Sequence, residues 1–338
     1  MSSKMNNLHP MMSFLLGAAA ATVCILFYLS ADTSGRSLDI LAWSNATQIT
    51  TSPSNKTTFE DLPPLLRRAA NEDNTVILTS INQAWAAPNS LLDVFLESFH
   101  IGENIEHLLN HMIIMCVDPK AYERCKSVHS NCYFLEVEGV DLTSEKVYMS
   151  KDYIELVWTK LKLQRRVLEL GYNFLFTDVD IVWFRNPFRH ISVFADITTS
   201  SDMFLGDPDY LFNFPNTGFI YVKSSKKTIE VLKFWHEARE RYPATHEQNI
   251  FNEIKKELVD RFQVKIQYLD TAYSGAFCNY GKDLNKICTM HASCCVGLGN
   301  KIHDLRNLLN DWRNFTALPL EKKRNGKFSW RVPGKCIH

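Results

Sequence analysis

Near the middle of the chain, Asn173-Phe-Leu-Phe-Thr-Asp178-Val-Asp180 places two carboxylates one residue apart where an apolar run ends. In extended chain, residues i and i+2 point to the same side, so Asp178 and Asp180 can face one cation. Hard oxygen ligands suit Mn2+ or Mg2+, and such ions keep bonds to phosphate oxygens. An ion held there would stabilise the negative charge that develops on a departing diphosphate.

Several elements must position that pair. Thr75–Thr79 reads as a short buried strand, Met112–Val117 as a second, closed by Asp118-Pro119, and Tyr133–Val137 as a third. Asn89 or Ser90 can cap a helix through Phe99, stopped by Gly102. Lys151–Leu170 carries Ile154, Val157, Trp158, Leu161 and Leu168 on one face, with Gly171 as its stop. Phe174–Thr177 follows as a buried strand, Gly218–Val222 as another, and Lys226–Arg241 as a helix. This alternation predicts an α/β fold with a mostly parallel sheet flanked by helices. Ligands in such sheets bind at the carboxyl ends of the strands.

Lys plus Arg (37) balances Asp plus Glu (37), with no long basic run, so no footprint for nucleic acid is present. Met11–Ser30 has no charged side chain and, at ~20 residues, is long enough to span a bilayer as a helix. Lys4 before it and Asp32 after it place residues 1–10 in the cytoplasm and the rest in a lumen. Residues 31–70, rich in Ser, Thr and Asn, read as a flexible stalk before a lumenal domain at 71–338. Sequons at Asn45 and Asn55 lie in that stalk and a third is at Asn314. One of nine cysteines, Cys24, lies in the span; the other eight predict disulfides, with Cys125–Cys132 and Cys278–Cys288 near enough in sequence to pair.

From about Asn74 to the C-terminus the chain resembles plant nucleotide-diphospho-sugar transferases of glycosyltransferase family 77. The resemblance rests on Leu78-Thr-Ser-Ile-Asn-Gln-Ala-Trp-Ala-Ala-Pro-Asn89, Gly171-Tyr-Asn-Phe-Leu-Phe-Thr-Asp-Val-Asp180, Trp183-Phe-Arg-Asn-Pro187, Leu269-Asp-Thr-Ala-Tyr273, Met290-His-Ala-Ser-Cys-Cys295 and His303-Asp-Leu-Arg306. It implies a GT-A-like, Rossmann-like fold and a retaining transfer of a pentose or galactose. The implied donor is a UDP-sugar and the implied acceptor a carbohydrate, either a cell-wall polysaccharide or a glycoprotein glycan. It also implies a Golgi membrane setting, as a single-pass type II protein, with enzyme complexes as possible partners. Asp178 and Asp180 match the family's metal motif, and His291 matches the histidine that completes the metal site. Lys301 resembles the lysine that steadies the pyrophosphate, and Lys160 a donor-contacting basic residue. Asn216-Thr217-Gly218 resembles the segment against the donor sugar. His246-Glu247-Gln248-Asn249 resembles an H-[D/E]-Q-[D/N] segment that sets Gln248 near the anomeric carbon; Asn249 departs from the Asp of many relatives. Thr79 and Asn82, at the end of the first strand, are candidates for nucleotide contacts.

Two other readings compete. Asp178-Val-Asp180-Ile-Val182 fits the D-x-D-x-[T/V] loop of haloacid-dehalogenase-like phosphatases, with Asp178 as nucleophile and Asp180 as general acid/base. That loop follows the first strand of its domain, whereas strand and helix patterns for about a hundred residues come before it here. A non-catalytic Golgi subunit that keeps the fold is the third reading; the presence of Asp178, Asp180 and His291 argues against it.

Overall fold

The computed structural model describes residues 59–137, 140, 150–278, 283–326, 328–331 and 333–336. The span at 11–30, most of the stalk, and the sequons at Asn45 and Asn55 lie outside the described residues. Among the described residues no helix is long and apolar enough to cross a membrane.

Seven strands form the main sheet: β1 (Thr75–Ile81), β2 (Met112–Cys116), β3 (Cys132–Phe134), β4 (Asn173–Thr177), β6 (Ile197–Met203), β7 (Phe214–Val222) and β8 (Ile266–Tyr268), in the order β3-β2-β1-β4-β7-β6-β8. β3, β2, β1 and β4 run parallel, and β8 runs parallel to β6. β7, expected over Gly218–Val222 in a mostly parallel sheet, begins at Phe214 and pairs antiparallel with both β4 and β6. A second sheet has the order β5-β10-β9, from β5 (Ile181–Trp183), β9 (Ser274–Ala276) and β10 (Thr289–His291).

The apolar runs lack alternation because both faces of the main sheet are covered. Val76 and Leu78 of β1 join one core with Ile113 and Met115 of β2 and Phe174 and Phe176 of β4. Ile77 and Ile81 face the opposite core with Ile114 and Leu175. Helices α1 (Leu62–Ala69), α5 (Lys151–Glu169), α6 (Lys226–Glu237) and α7 (Glu247–Phe262) cover the first face. The second is covered by α3 (Leu91–Ile101), α8 (Leu298–Thr316) and the small sheet. Three further α-helices lie among the described residues: α2 (Gln83–Ala86), α4 (Pro119–Val128) and α9 (Leu320–Asn325). The segment of α1, assigned to the stalk from its composition, is a helix with Leu62, Leu65, Leu66 and Ala69 buried. Pro63 and Pro64 lie in its first turn, where a missing N–H costs nothing.

Disulfides join Cys125 to Cys132, Cys278 to Cys294 and Cys295 to Cys336. The expected Cys278–Cys288 pair does not form, and Cys288 is a buried thiol that burial pushes up to about 11. The register gives the reason. β9 and β10 are parallel with Ala276 beside His291 and Ser274 beside Thr289. Cys278 therefore lies level with the residues after His291, while Cys288 lies level with Tyr273. Five residues of strand, roughly 16 Å, separate the two cysteines, too far for a bond that needs Cα atoms about 4–7 Å apart.

His236, late in α6, packs edge-on to Trp158 of α5 with ring centroids 5.7 Å apart. Burial first, then the charges of Lys162, Arg239 and Arg165, push its pKa from 6.5 down to about 4. Between these values the unfolded chain binds a proton that the folded chain refuses. Stability is therefore present above about pH 6.5 and is lost as pH falls toward about 4. His236→Gln is expected to reduce the fall in urea midpoint between about pH 7 and about pH 5; an unchanged pH dependence would count against this account.

Candidate active site

The acidic pair sits in the turn between β4 and β5. Asp178 N–H donates to Gly218 O (2.7 Å) and Ile181 N–H to Asp178 O (3.1 Å). These bonds tie the turn to β7 on one side and start β5 on the other. β5 pairs antiparallel with β10 so that His291 faces Ile181, and Ala292 N–H donates to Asp180 O (3.0 Å). The small sheet thus carries His291, more than a hundred residues away in sequence, to the acidic turn. Its Nε2 lies 3.2 Å from Asp180 Oδ1 and 3.9 Å from Asp178 Oδ2. One ligand atom from each of Asp178, Asp180 and His291 falls within 4.8 Å of the others, the one such group among the described residues.

β7 completes the wall. Thr199 pairs with Ile220 but Ser200 pairs with Asn216, so residues 217–219 bulge out of the β6 ladder. Thr199 Oγ1 spans the bulge by donating to Asn216 O (2.9 Å) and Phe219 O (3.2 Å). Such bulges re-aim side chains beside functional sites. Here the bulge brings Gly218 against the acidic turn: a Cβ at 218 would lie 2.4 Å from Asp178 Oδ2 and 2.9 Å from His291 Cε1. Close packing by a residue without a side chain is what glycine allows.

Lys301, in the first turn of α8, places Nζ 2.6 Å from Asp180 Oδ2. Burial opposes ionisation of Asp180, but the charges of Lys301 and His291 outweigh it and hold that carboxyl far below its usual range. Burial also opposes protonation of His291, yet the two carboxylates raise its pKa. Asp178 is different: desolvation raises it against the pull of Lys160, although 39% of its side chain remains exposed. The cluster thus holds one firmly ionised carboxylate and one partly exposed carboxylate of higher pKa. Two carboxylates and an imidazole are a donor set that fits a divalent cation.

Beside it lies a polar network. Gln248, in the first turn of α7, accepts Thr217 N–H at Oε1 (3.0 Å) and donates from Nε2 to Asp202 Oδ2 (3.3 Å). Asp202 Oδ1 accepts from Asn216 Nδ2 (2.8 Å), and Asn216 Oδ1 accepts Gly218 N–H (3.0 Å). Both ends of the Gln248 amide are therefore oriented. Asp202 was not among the residues the sequence singled out; its only sequence signal is a charge closing the run Ile197-Thr-Thr-Ser-Ser. Glu247, the neighbour of Gln248, has no role that the sequence marks. It is buried beside Lys160 Nζ (3.4 Å) and His246 Nδ1 (2.8 Å). Burial raises its pKa, but His246 and Lys160 overcome that and bring it to about 2.

The remaining candidates are more dispersed. Lys160 is buried, pairs with Glu247 and stacks its ammonium over Phe176 at 4.1 Å. Lys160→Met would leave Glu247 buried without this partner and is expected to cost about 3 kcal/mol, read from urea denaturation; a change under about 1 kcal/mol would show that His246 alone suffices. Thr79 is fully buried in β1 and offers no open surface. Asn82 Oδ1 accepts Trp85 N–H at the start of α2. Both stand at the carboxyl end of β1, next to that of β4. Asn249 and Asn314 are exposed, the latter on α8.

Residues 107–305 match the family model described as nucleotide-diphospho-sugar transferase. The chain is 38% identical over 292 residues to an uncharacterised Arabidopsis thaliana protein, covering 86% of this chain and 77% of that one. It is 26% identical over 144 residues to the Arabidopsis thaliana arabinosyltransferase RRA1, covering 37% and 35%. Among solved structures, the galactosyltransferase LgtC in complex with donor and acceptor sugar analogues aligns at 13% identity with a TM-score of 0.43, over 73% of this chain and 99% of that one.

Proposed function

Because the chain belongs to the nucleotide-diphospho-sugar transferase family, we propose that it is a metal-dependent, retaining glycosyltransferase of family 77 with a GT-A fold. In this reading it moves a sugar from a UDP-linked donor to a carbohydrate acceptor in the Golgi lumen, held there by the N-terminal span. The convergence of Asp178, Asp180 and His291 at the end of β4 carries the reading. The arabinosyltransferase relatives make a UDP-linked pentose the first donor to test, ahead of UDP-galactose.

Asp178, Asp180 and His291 would hold the ion, which when bound supplies positive charge to the donor's two phosphates. Lys301, already 2.6 Å from Asp180, can shift its ammonium to the pyrophosphate. Asn216, Thr217, Asp202 and Gln248 form a polar wall for the hydroxyls of the donor sugar. Because the Gln248 oxygen already accepts from Thr217 N–H, Gln248 serves better as a hydrogen-bonding group than as a nucleophile. That favours attack of the acceptor hydroxyl on the face the diphosphate leaves, with the leaving phosphate taking the proton. The phosphatase reading is not favoured: the acidic loop follows the fourth strand in chain order, and Asp180 is ion-paired on two sides.

The test measures UDP release by the full-length protein in detergent, with Mn2+, across UDP-arabinose, UDP-xylose and UDP-galactose. One donor is expected to turn over and to stop when the metal is chelated. A folded protein that releases UDP from none of them, and binds none, would support a non-catalytic subunit instead.

A further inference from the structure

A cavity lies at the opposite end of the small sheet from the acidic turn. It encloses about 510 Å3, within the ~300–1,000 Å3 range of small-molecule sites. Its wall is built from the chain that leaves β5, from the loop before β10, and from the loop after α3. The register separates it from the cluster described above: His291 pairs with Ile181, whereas Thr289 and Cys288 lie level with Trp183 and Phe184. From Asp180 to Arg185 the chain can span at most about 17 Å at ~3.3 Å per residue. The cavity is thus near the candidate active site but outside it.

One part of the wall is fixed. Arg185 donates from Nε to Glu103 (2.8 Å) and from Nη1 to Leu284 O (2.7 Å) and Ile287 O (2.9 Å), and its guanidinium stacks over Trp312 at 4.7 Å. Arg185 and Glu103 therefore satisfy each other. Arg189 and Lys286 also line the cavity; both are exposed and make no side-chain hydrogen bond or ion pair among the described residues. Two positive charges face this space unmatched. Beside them the His190 ring stacks on Tyr273, with centroids 3.9 Å apart and planes at 19°. His190 is exposed, so the outer face of this pair is an open aromatic platform. Asn104 and Asn285 add exposed amides at the rim.

We propose that this cavity is a binding site for a carboxylated saccharide, whose carboxylate is met by Arg189 and Lys286. Each ligand feature has its counterpart. A guanidinium and an ammonium form charge-assisted hydrogen bonds with a carboxylate. Amides donate to and accept from sugar hydroxyls. The electron-rich face of a stacked ring receives the C–H face of a pyranose. An apolar ligand would leave two cations unpaired, and a neutral sugar would leave the charge unused. Among the described residues neither Asp270 nor Asp283 forms an ion pair with Arg189 or Lys286. The Asp270 carboxylate accepts Ala272 N–H and that of Asp283 accepts Asn285 N–H, each holding its own turn. The proposal rests on the transferase reading only in naming carbohydrate as the ligand class. In that setting the site would hold an acidic sugar of a longer acceptor chain, away from the reacting bond.

Calorimetric titration of the full-length protein in detergent tests it without turnover, using trigalacturonate, its methyl ester and inorganic phosphate as probes at low ionic strength. Trigalacturonate is expected to bind, the ester at least tenfold more weakly, and phosphate more weakly than trigalacturonate. Arg189→Ala combined with Lys286→Ala should weaken trigalacturonate at least tenfold. Neither side chain holds the fold, so the variant should melt like the parent. His190→Ala should weaken trigalacturonate but not phosphate. Asp180→Ala, which disables the candidate active site, should leave trigalacturonate binding unchanged; its loss there would mean the ligand sits at the acidic turn. No binding to the parent, equal binding to the double variant, or phosphate binding as tight as trigalacturonate would each overturn the assignment.

Discussion

Gly218→Ala is expected to abolish most donor turnover, on the order of a hundredfold, while leaving the protein folded. The added methyl would stand 2.4 Å from Asp178 Oδ2, 2.9 Å from Asn216 Oδ1 and 2.9 Å from His291 Cε1. None of these can yield independently. Asp178 is bonded through its N–H to Gly218 O, His291 is fixed by pairing with β5, and Asn216 is held by Asp202. Relief must come from moving the carboxylate or the imidazole, and a shift of about 1 Å in a reacting group can cost ~10²-fold. Overpacking of this kind costs about 1–3 kcal/mol in stability, too little to unfold a domain with two complete core layers. UDP release and thermal melting, measured side by side, separate the two effects. Full activity in Gly218→Ala would mean that the β7 bulge does not shape the site.

Asp180→Ala should lower UDP release by about 10²–10³-fold, the scale seen when a group that stabilises developing charge is removed. The loss has two sources. One of two carboxylates that can hold the ion disappears, and Lys301 and His291 lose the anion that both approach within 3.2 Å. Metal binding provides a second readout. Mn2+ should raise the melting temperature of the parent by mass action on the folded state. In the variant that shift should vanish or shrink. A variant that keeps the Mn2+ shift and loses turnover would place the ion elsewhere and reassign Asp180 to Lys301.

The acidic turn was legible in the sequence because an apolar strand, two carboxylates at i and i+2 and the strand-type residues after them all sit in one short window. His291 was not. It is brought in by the pairing of β10 with β5, three-residue strands too short to show a period, and only the family resemblance singled it out. β6 was overlooked for another reason. Ile197-Thr-Thr-Ser-Ser201 is buried yet mostly polar, with the hydroxyls of Thr199 and Ser200 donating into the β7 bulge, so no hydrophobic pattern marks it. Asp202 was missed with it. Cys278 was matched to its nearer neighbour in sequence, whereas parallel pairing of β9 and β10 carries the two cysteines apart and puts Cys294 within reach instead. α1 was read as stalk from the composition of residues 31–70, although its four buried apolar residues make a helical face and Pro63 and Pro64 sit where a helix tolerates them.

The adjacent cysteines after His291 have a consequence for biosynthesis. Cys278 and Cys294 are 16 residues apart, but Cys295 must wait for Cys336, 41 residues later. At about 5–20 residues per second of translation, that wait is roughly 2–8 s. Throughout it the nascent chain displays Cys278, Cys294 and Cys295 without the last partner, and Cys295 can capture Cys278 as readily as its neighbour can. Such a misjoined chain would pull the segment carrying His291 out of register by one residue. A chain misjoined in this way reaches the observed pairing only by thiol–disulfide exchange after Cys336 has emerged, so an added disulfide isomerase is expected to raise the yield of correctly paired protein.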